Sequence, residues 1–369
     1  MRDVIVVGGG VIGLSIAHAI AAEGKSVLVL DPGESSDAAS WAAAGMLAPQ
    51  SEADTPDPLF ELCSASLGIY RNWTQKLQEQ SGVDPEYQTS GLLYLAASNE
   101  ELNVLKRRKS WQDAAGFDSE VLPPEELRKF EPRLTMEMAG GVHIPGECQV
   151  TPRKLVKALE GACIATGVEI RKGQWVREVV RHGERVCGVL TDTDSLPAAK
   201  VVLASGARSS EIRGLHPCLP LIPRKGQMLS LVTPEALFQR LIRWQHAYMV
   251  QRPGGELVVG ATNENTGFDR RLTPAGVGGL LTSAQQMSAD TASLAIKEMW
   301  TGLRPATPDG LPILGIANPS GGGELIYAAG HYRNGILLAP ITASIIASLV
   351  DNRAPVIPLE PFSPLRFEV

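Results

Sequence analysis

Three observations predict an α/β fold in which a Rossmann-like nucleotide-binding domain carries an inserted α+β substrate domain built on a large antiparallel sheet. The chain opens with strand, glycine turn, helix and second strand. Another buried strand, residues 200–207, recurs far downstream, and runs between 226 and 261 alternate with the period of antiparallel strands.

The opening segment carries the strongest signal. Residues 4–7 are a β-branched run that reads as a buried strand and leads into Gly8-x-Gly10-x-x-Gly13. Residues 11–23 have apolar side chains at helical spacing and stop at Gly24, where a left-handed cap fits. Residues 26–30 form a second apolar strand ending at Asp31, 18 positions past Gly13. Gly8 permits the tight turn, Gly10 the close approach of a pyrophosphate, and Gly13 the packing of helix on strand. Amides at the helix start favour phosphate charge, and Asp31 is placed to accept hydrogen bonds from a ribose. The glycine pattern alone is weak; framed by strand, helix, strand and acid it is specific. Residues 1–22 also have features of a secretory signal, with Arg2 before an apolar run and small residues at 19–22, but Asp3 and the spacing to Asp31 argue against it.

Pro32-Gly33-Glu34-Ser35-Ser36 reads as a loop. In Ser40-Trp41-Ala42-Ala43-Ala44-Gly45-Met46 the small side chains let backbone approach either a flat cofactor ring or a packed neighbour. Residues 59–78 predict an amphipathic helix with Leu62, Ser66, Ile69, Tyr70 and Trp73 on or near one face. A strand with a central glycine is predicted over 87–95, a capping box at Ser98-x-x-Glu101, a short helix over 125–130 and a strand over 140–144. Thr151-Pro152 supplies an N-cap and N1 proline for a helix ending at Gly167. Residues 168–170, 174–180 and 185–191 follow as strands, and 200–207 returns parallel to the first. From Pro217 the texture changes: 226–232, 247–251 and 256–261 alternate, as antiparallel strands with one solvated face do. A helix over 273–289, a strand over 297–300, a proline- and glycine-rich loop over 301–310, a strand over 325–328, a turn over 330–334 and a helix from Gly335 complete the chain. The nucleotide-binding domain is thus predicted to be discontinuous, over 1–84, 148–217 and 301–369, with 85–147 and 218–300 forming the substrate domain.

The 369 residues, 44% hydrophobic, suffice for two domains and a large core. A net charge of −6 argues against a nucleic-acid or anionic-membrane partner. The basic cluster Lys106-Arg107-Arg108-Lys109 reads as a solvated helix face. Five widely spaced cysteines without C-x-x-C predict reduced thiols and a cytoplasmic location. None of the six histidines stands at metal-ligand spacing, so no metal site is expected. Residues 336–350 are apolar but fall short of the roughly 20 residues a membrane span needs.

Four segments together, Val6-Val7-Gly8-Gly9-Gly10-Val11-Ile12-Gly13, Ala43-Ala44-Gly45-Met46, Gly302 to Gly310 and Gly330-His331-Tyr332-Arg333-Asn334-Gly335-Ile336-Leu337-Leu338, resemble the FAD-dependent amine oxidases of the D-amino-acid oxidase superfamily. The branch they match best is that of the bacterial glycine oxidases linked to thiamine biosynthesis, and the resemblance spans nearly the whole chain. It implies FAD held non-covalently in an extended pose, since no cysteine lies near Arg304. Gly8, Gly10, Val11, Ile12, Gly13, Asp31, Pro32, Ala39, Ser40, Ala44, Gly45 and Met46 would line the adenine-to-flavin path, with Ser205 and Gly206 in the same set. Val176 would touch the adenine end through its backbone. Gly330, His331, Tyr332, Arg333, Asn334, Gly335, Ile336 and Leu337 would cover the flavin's pyrimidine edge, where amides at the start of the last helix favour negative charge.

For the substrate, the resemblance implies a small amino acid whose carboxylate meets the planar fork of Arg304, with Tyr248 donating to the same group and Arg333 close by. Met46 would limit side-chain size, and His246 and Asn263 would belong to the pocket. The resemblance also implies that, with the amine bound neutral, hydride would pass from its α-carbon to flavin N5, water would hydrolyse the imine and oxygen would take the electrons to give peroxide, so no protein acid or base need be sought for the main step. The products would be glyoxylate or a 2-oxo acid, ammonia or amine, and hydrogen peroxide. A homotetramer is the implied assembly. Three positions depart from the pattern: Asn263 where methionine is usual, which makes the pocket more polar, Gln251 in place of a proline, and Ala39 where a hydroxyl residue can contact phosphate. Alternatives are a flavin dehydrogenase, an oxidase of N-substituted glycines such as sarcosine, and a nucleotide-binding sensor without turnover.

Overall fold

A computed structural model of the chain describes residues 2–33, 38–183, 185–317 and 324–367. Glu34, Ser35 and Ser36 of the predicted loop lie outside the described residues.

Two eight-stranded sheets organise the molecule. The first grows from β1 (Arg2–Val7), α1 (Val11–Ala22) and β2 (Val27–Asp31). β1 lies at its centre, parallel to β2 on one side and to Ser195–Leu203 on the other. Glu169–Lys172 and Glu324–Ala329 extend the parallel core outward, and Ile313–Ile316 closes one edge antiparallel. The apolar run of β1 is continuous because both faces are buried. Val4 and Val6 point to a core shared with α1 and the helices Pro58–Ser81, Pro152–Ala165 and Gly335–Val350. Ile5 and Val7 point to the opposite core, beneath the antiparallel ribbon Val176–His182 and Arg185–Thr191.

The closing helix contains Pro340, which has no N–H for the carbonyl of Ile336 four residues back. The Tyr70 hydroxyl donates to that carbonyl at 2.9 Å, and Ser66 Oγ donates to the Leu337 carbonyl at 2.6 Å. The predicted face of the helix Pro58–Ser81 is therefore right at Leu62, Ser66 and Tyr70, but Ile69 is 41% exposed and faces outward. Thr151 does not cap the helix that follows it; its hydroxyl donates to Glu86 instead. At the capping box, Glu101 N donates to Ser98 Oγ, whereas the Glu101 carboxylate reaches back one residue further, to the amide of Ala97.

The second sheet runs in the order Ile296–Ala306, Ile222–Val232, Glu256–Gly260, Ala247–Arg252, Leu241–Trp244, Leu92–Ala96, Gly140–Ile144, Glu120–Leu122. All neighbours are antiparallel except Leu241–Trp244 against Leu92–Ala96. Two expectations are corrected here. Residues 301–306 are not loop but the second half of the edge strand Ile296–Ala306, paired with Ile222–Val232 so that Pro305 faces Pro223 and Arg304 faces Arg224. An edge strand tolerates proline because one side of its ladder has no partner to lose. Nor is one face of the sheet solvated: Leu229, Leu231, Met249 and Leu257 pack on the helix Pro274–Met287. Met228, Val250, Val258 and Trp300 on the other face pack on Ala42 and Ala44 of the small-residue run and on Ala48 just after it. Among the described residues no helix is long and apolar enough to cross a membrane, no cluster of side chains could hold a metal ion, and all five cysteines are free.

Candidate active site

The space between the carboxyl ends of the parallel strands and the second sheet is one cavity of about 1150 Å³. That is the place where open α/β sheets bind ligands, and it exceeds the size of a typical single small-molecule pocket. Its nucleotide end is built by the glycines. Gly8 has φ +108°, and a Cβ there would meet the backbone of Ala204 at 2.8 Å. A Cβ on Gly13 would collide with the Gly8 carbonyl oxygen, so glycine alone lets α1 seat on β1. Asp31 accepts hydrogen bonds from the amides of Gly9 at 2.6 Å and Gly33 at 2.7 Å, which fixes its carboxylate at the cavity wall. The amide of Val11, at the helix start, donates to Ser40 Oγ at 3.0 Å rather than standing free. Val176, Ser205 and Gly206 also line the wall, as do Pro32 and Ala39.

At the far end the closing helix presents its amino terminus. Gly335 and Ile336 line the cavity and Asn334 makes no side-chain cap, so the positive end of a 16-residue helix faces the interior. His331 is buried beside it, with Nε2 3.1 Å from Thr342 Oγ1; burial pushes its pKa down to about 3, so the ring is neutral. Leu337 does not line the cavity: its side chain is buried in the helical core, and its carbonyl accepts from Ser66. Gly13 is likewise behind the wall, acting through packing alone.

The second sheet supplies the remaining wall. The Arg304 guanidinium lies flat across Gly226 and donates to the Thr262 carbonyl at 3.1 Å. Among the described residues no carboxylate pairs with it. Tyr248 lies across Gly260, where a Cβ would meet its ring at 2.5 Å, and burial holds its hydroxyl protonated by raising the pKa against the pull of Arg304. Met46, Arg333, Asn263 and the exposed His246 complete the predicted set along this wall. Asn263 is engaged by the Tyr332 hydroxyl at 3.2 Å. Gln251 sits apart, its side chain bonded to Thr233 and the Leu237 amide within the sheet.

Three residues were missed by sequence reasoning. Glu52 ends the short helix Pro49–Glu52, lines the cavity and pairs with both Arg243 and Arg333. Arg243 had a signal, a charge inside the apolar strand Leu241–Trp244; Glu52 had none. Arg252, also in a strand, donates to the carbonyls of Ala44 and Val150, and burial pulls its pKa down only to about 10, so it stays charged.

A glycine turn, a fixed acid and an arginine that no carboxylate pairs with among the described residues share one cavity, and the class these define is that of the dinucleotide-binding α/β proteins. The comparisons agree. Residues 3–349 match the family model for FAD dependent oxidoreductases of the DAO type, and the chain belongs to that family. It is 36% identical to the glycine oxidase of Geobacillus kaustophilus over 98% of this chain and 96% of that one. It is 37% identical to the bifunctional protein ThiO/ThiG of a Nostoc species over 95% of this chain but 52% of that one, so it spans about half the length of such relatives. In structure it matches a glycine oxidase from Geobacillus kaustophilus with TM-score 0.93, covering 98% of both chains. An iminodiacetate oxidase from Chelativorans matches with TM-score 0.89 at 27% identity, over 98% of this chain and 99% of that one. Family membership implies FAD, and the residues present fit it: a glycine turn whose shape a Cβ at Gly8 or Gly13 would break, a fixed acid, and a helix amino terminus at the opposite end.

Proposed function

We propose that this chain is an amino-acid oxidase of the glycine oxidase kind, taking glycine or another small amine that carries one carboxylate, with sarcosine and D-alanine as further substrates. The observation that carries the reading is Arg304, whose guanidinium shares a cavity with the glycine turn and, among the described residues, bonds to a backbone carbonyl and pairs with no carboxylate. A carboxylate bound in its fork gains two charge-assisted hydrogen bonds, and the protonated Tyr248 hydroxyl donates a third. Fixing the carboxylate of a molecule this small orients its α-carbon, and much of the rate gain comes from that placement. Gly8 to Ile12 with Asp31 would hold the adenosine and phosphates, and Ala44 to Met46 with Gly335 and Ile336 the ring system. FAD held there would supply a two-electron acceptor for the substrate's α-carbon hydrogen and a route for those electrons to oxygen. With its pKa pushed down to about 3, His331 is too weak a base to take a proton from the amine, and Tyr248 is held protonated, so neither of these two residues serves as the base. A role in making the thiazole of thiamine is part of this proposal, by similarity to the ThiO/ThiG proteins.

An anaerobic amine panel followed by flavin bleaching tests the reading, with peroxide measured in air for the same amines. Bleaching by glycine, sarcosine and D-alanine with peroxide formation is the expected result. A protein that holds FAD but is bleached by none of them would end it, and bleaching without peroxide would point to another electron acceptor.

A further inference from the structure

The substrate wall holds three guanidiniums, Arg243, Arg304 and Arg333, and one carboxylate, Glu52. Resting on the reading that Arg304 anchors the substrate, we infer that Glu52 selects substrate charge: it occupies Arg333, which would otherwise receive a second acidic group, and so restricts the site to amines with a single carboxylate.

The two arginines that Glu52 holds are not equivalent. Arg243 is buried within the sheet, bonded to the Glu52 carboxylate and to Ser51 Oγ at 3.3 Å. Arg333 stands at the cavity wall beside the Tyr332 ring, and among the described residues Glu52, at 3.7 Å, is the carboxylate that pairs with it. The Glu52 carboxylate is tied to the buried Arg243, and the backbone that carries it is held as well. Its short helix is fixed by the Ser51 amide donating to Glu147 Oε1 at 2.7 Å and by Arg108 donating to the Ser51 carbonyl at 2.7 Å. The Glu52 side chain is 30% exposed, and what it is exposed to includes the cavity. Arg304, Glu52, Arg333 and Arg243 line the same cavity as Tyr248, and the charge of each acts on its hydroxyl. Burial opposes ionisation of Glu52, but Arg243 and Arg333 overcome it and hold its carboxyl below the usual range. A second carboxylate on an amine anchored at Arg304 would therefore approach Arg333 only past a fixed like charge.

The test compares iminodiacetate with sarcosine on the FAD-loaded enzyme, because iminodiacetate is sarcosine with a carboxylate added to its N-methyl group. N-ethylglycine controls for size. In Glu52→Gln the ratio of kcat/KM for iminodiacetate to that for sarcosine should rise about tenfold or more, the effect of removing one charge in a partly desolvated site. Calorimetric Kd values for malonate relative to acetate should shift the same way, a readout independent of turnover. Glu52→Asp should keep the parent ratio, and Glu52→Gln with Arg333→Met should lose the gain. An unchanged ratio in Glu52→Gln, or an equal gain with N-ethylglycine, overturns the inference. Should Glu52→Gln not fold, Arg333→Met alone decides: a large fall in iminodiacetate turnover relative to sarcosine would show that Arg333 is already open to a second acid. If Arg304→Ala leaves the KM for sarcosine unchanged, the anchor itself has failed; if it raises that KM while Glu52→Gln leaves the ratio alone, only the present inference falls.

Discussion

Gly226→Ala separates what Arg304 does for binding from what it does for the fold. The three atoms nearest a Cβ at position 226 all belong to the Arg304 guanidinium, with Nη1 at 2.6 Å and Cζ at 2.7 Å. An ordinary contact begins at 3.4 Å, so the fork must retreat by about 1 Å, far enough to break one of its two bonds to a bound carboxylate. Losing one hydrogen bond to a charged group costs about 1.5 to 3 kcal/mol, which is about 10- to 100-fold in affinity. Stability should barely change, because the obstructing atoms are the end of a flexible side chain and alanine suits a strand at least as well as glycine. The assay is steady-state oxidation of glycine, together with inhibition by acetate and a thermal melt. KM and the acetate inhibition constant should rise together, kcat should fall less, and the melting temperature should hold. Arg304→Ala sets the ceiling, and adding Gly226→Ala to it should do nothing more, since both act on one group. A Gly226→Ala enzyme with unaltered KM and acetate inhibition, or a double variant markedly worse than Arg304→Ala, would refute the anchoring role.

Gly13→Ala places a methyl group on the Gly8 carbonyl, and backbone cannot yield cheaply; the purified protein should carry less FAD by its absorbance ratio and melt lower. Tyr70→Phe removes the donor that satisfies the Ile336 carbonyl left open by Pro340, and should cost about 1 to 3 kcal/mol in urea unfolding with little change in KM. Glu147 is buried with Oε2 unpartnered, and burial pushes its carboxyl from 4.5 up to about 7, so the folded protein keeps a proton that the unfolded chain releases. Stability from this group is full below pH 4.5, falls as pH rises to 7 and is flat above, a loss on the order of 3 kcal/mol; Glu147→Gln should remove that part of the pH dependence, and an unchanged slope between pH 5 and 7 would count against it.

The nucleotide half was legible because its chemistry is local. Gly8, Gly10, Gly13 and Asp31 act within one βαβ unit, and their positions follow from backbone geometry that a linear pattern encodes. The strand that carries Arg304 was not legible, because Gly302 and Pro305 carry the local marks of a loop. Their strand character comes from pairing with Ile222–Val232, some eighty positions earlier, and from lying at a sheet edge where proline loses nothing. The Glu52 to Arg243 contact was invisible for the same reason. It joins a residue after the small-residue run to one 191 positions away, and neither neighbourhood announces the other.

The small-residue run itself had two readings, a surface for a flat ring or a patch for close packing, and its geometry satisfies both at once. A Cβ on Gly302 would meet the Ala42 Cβ at 2.5 Å, Trp300 Nε1 donates to the Ala42 carbonyl at 3.0 Å, and Arg252 donates to the carbonyl of Ala44. Small side chains on one side of the run thus let the second sheet press against its backbone, while Ala42, Ala44, Gly45 and Met46 still contribute to the cavity wall. The run is the seam between the two sheets as well as part of the site. A bulky substitution at Ala42 or Gly302 therefore acts on packing and on the position of Arg304 together, since Gly302 precedes Arg304 by two residues on the same strand. Gly226→Ala moves the fork without touching that seam, which is why it, rather than a change within the run, isolates the chemistry of the guanidinium.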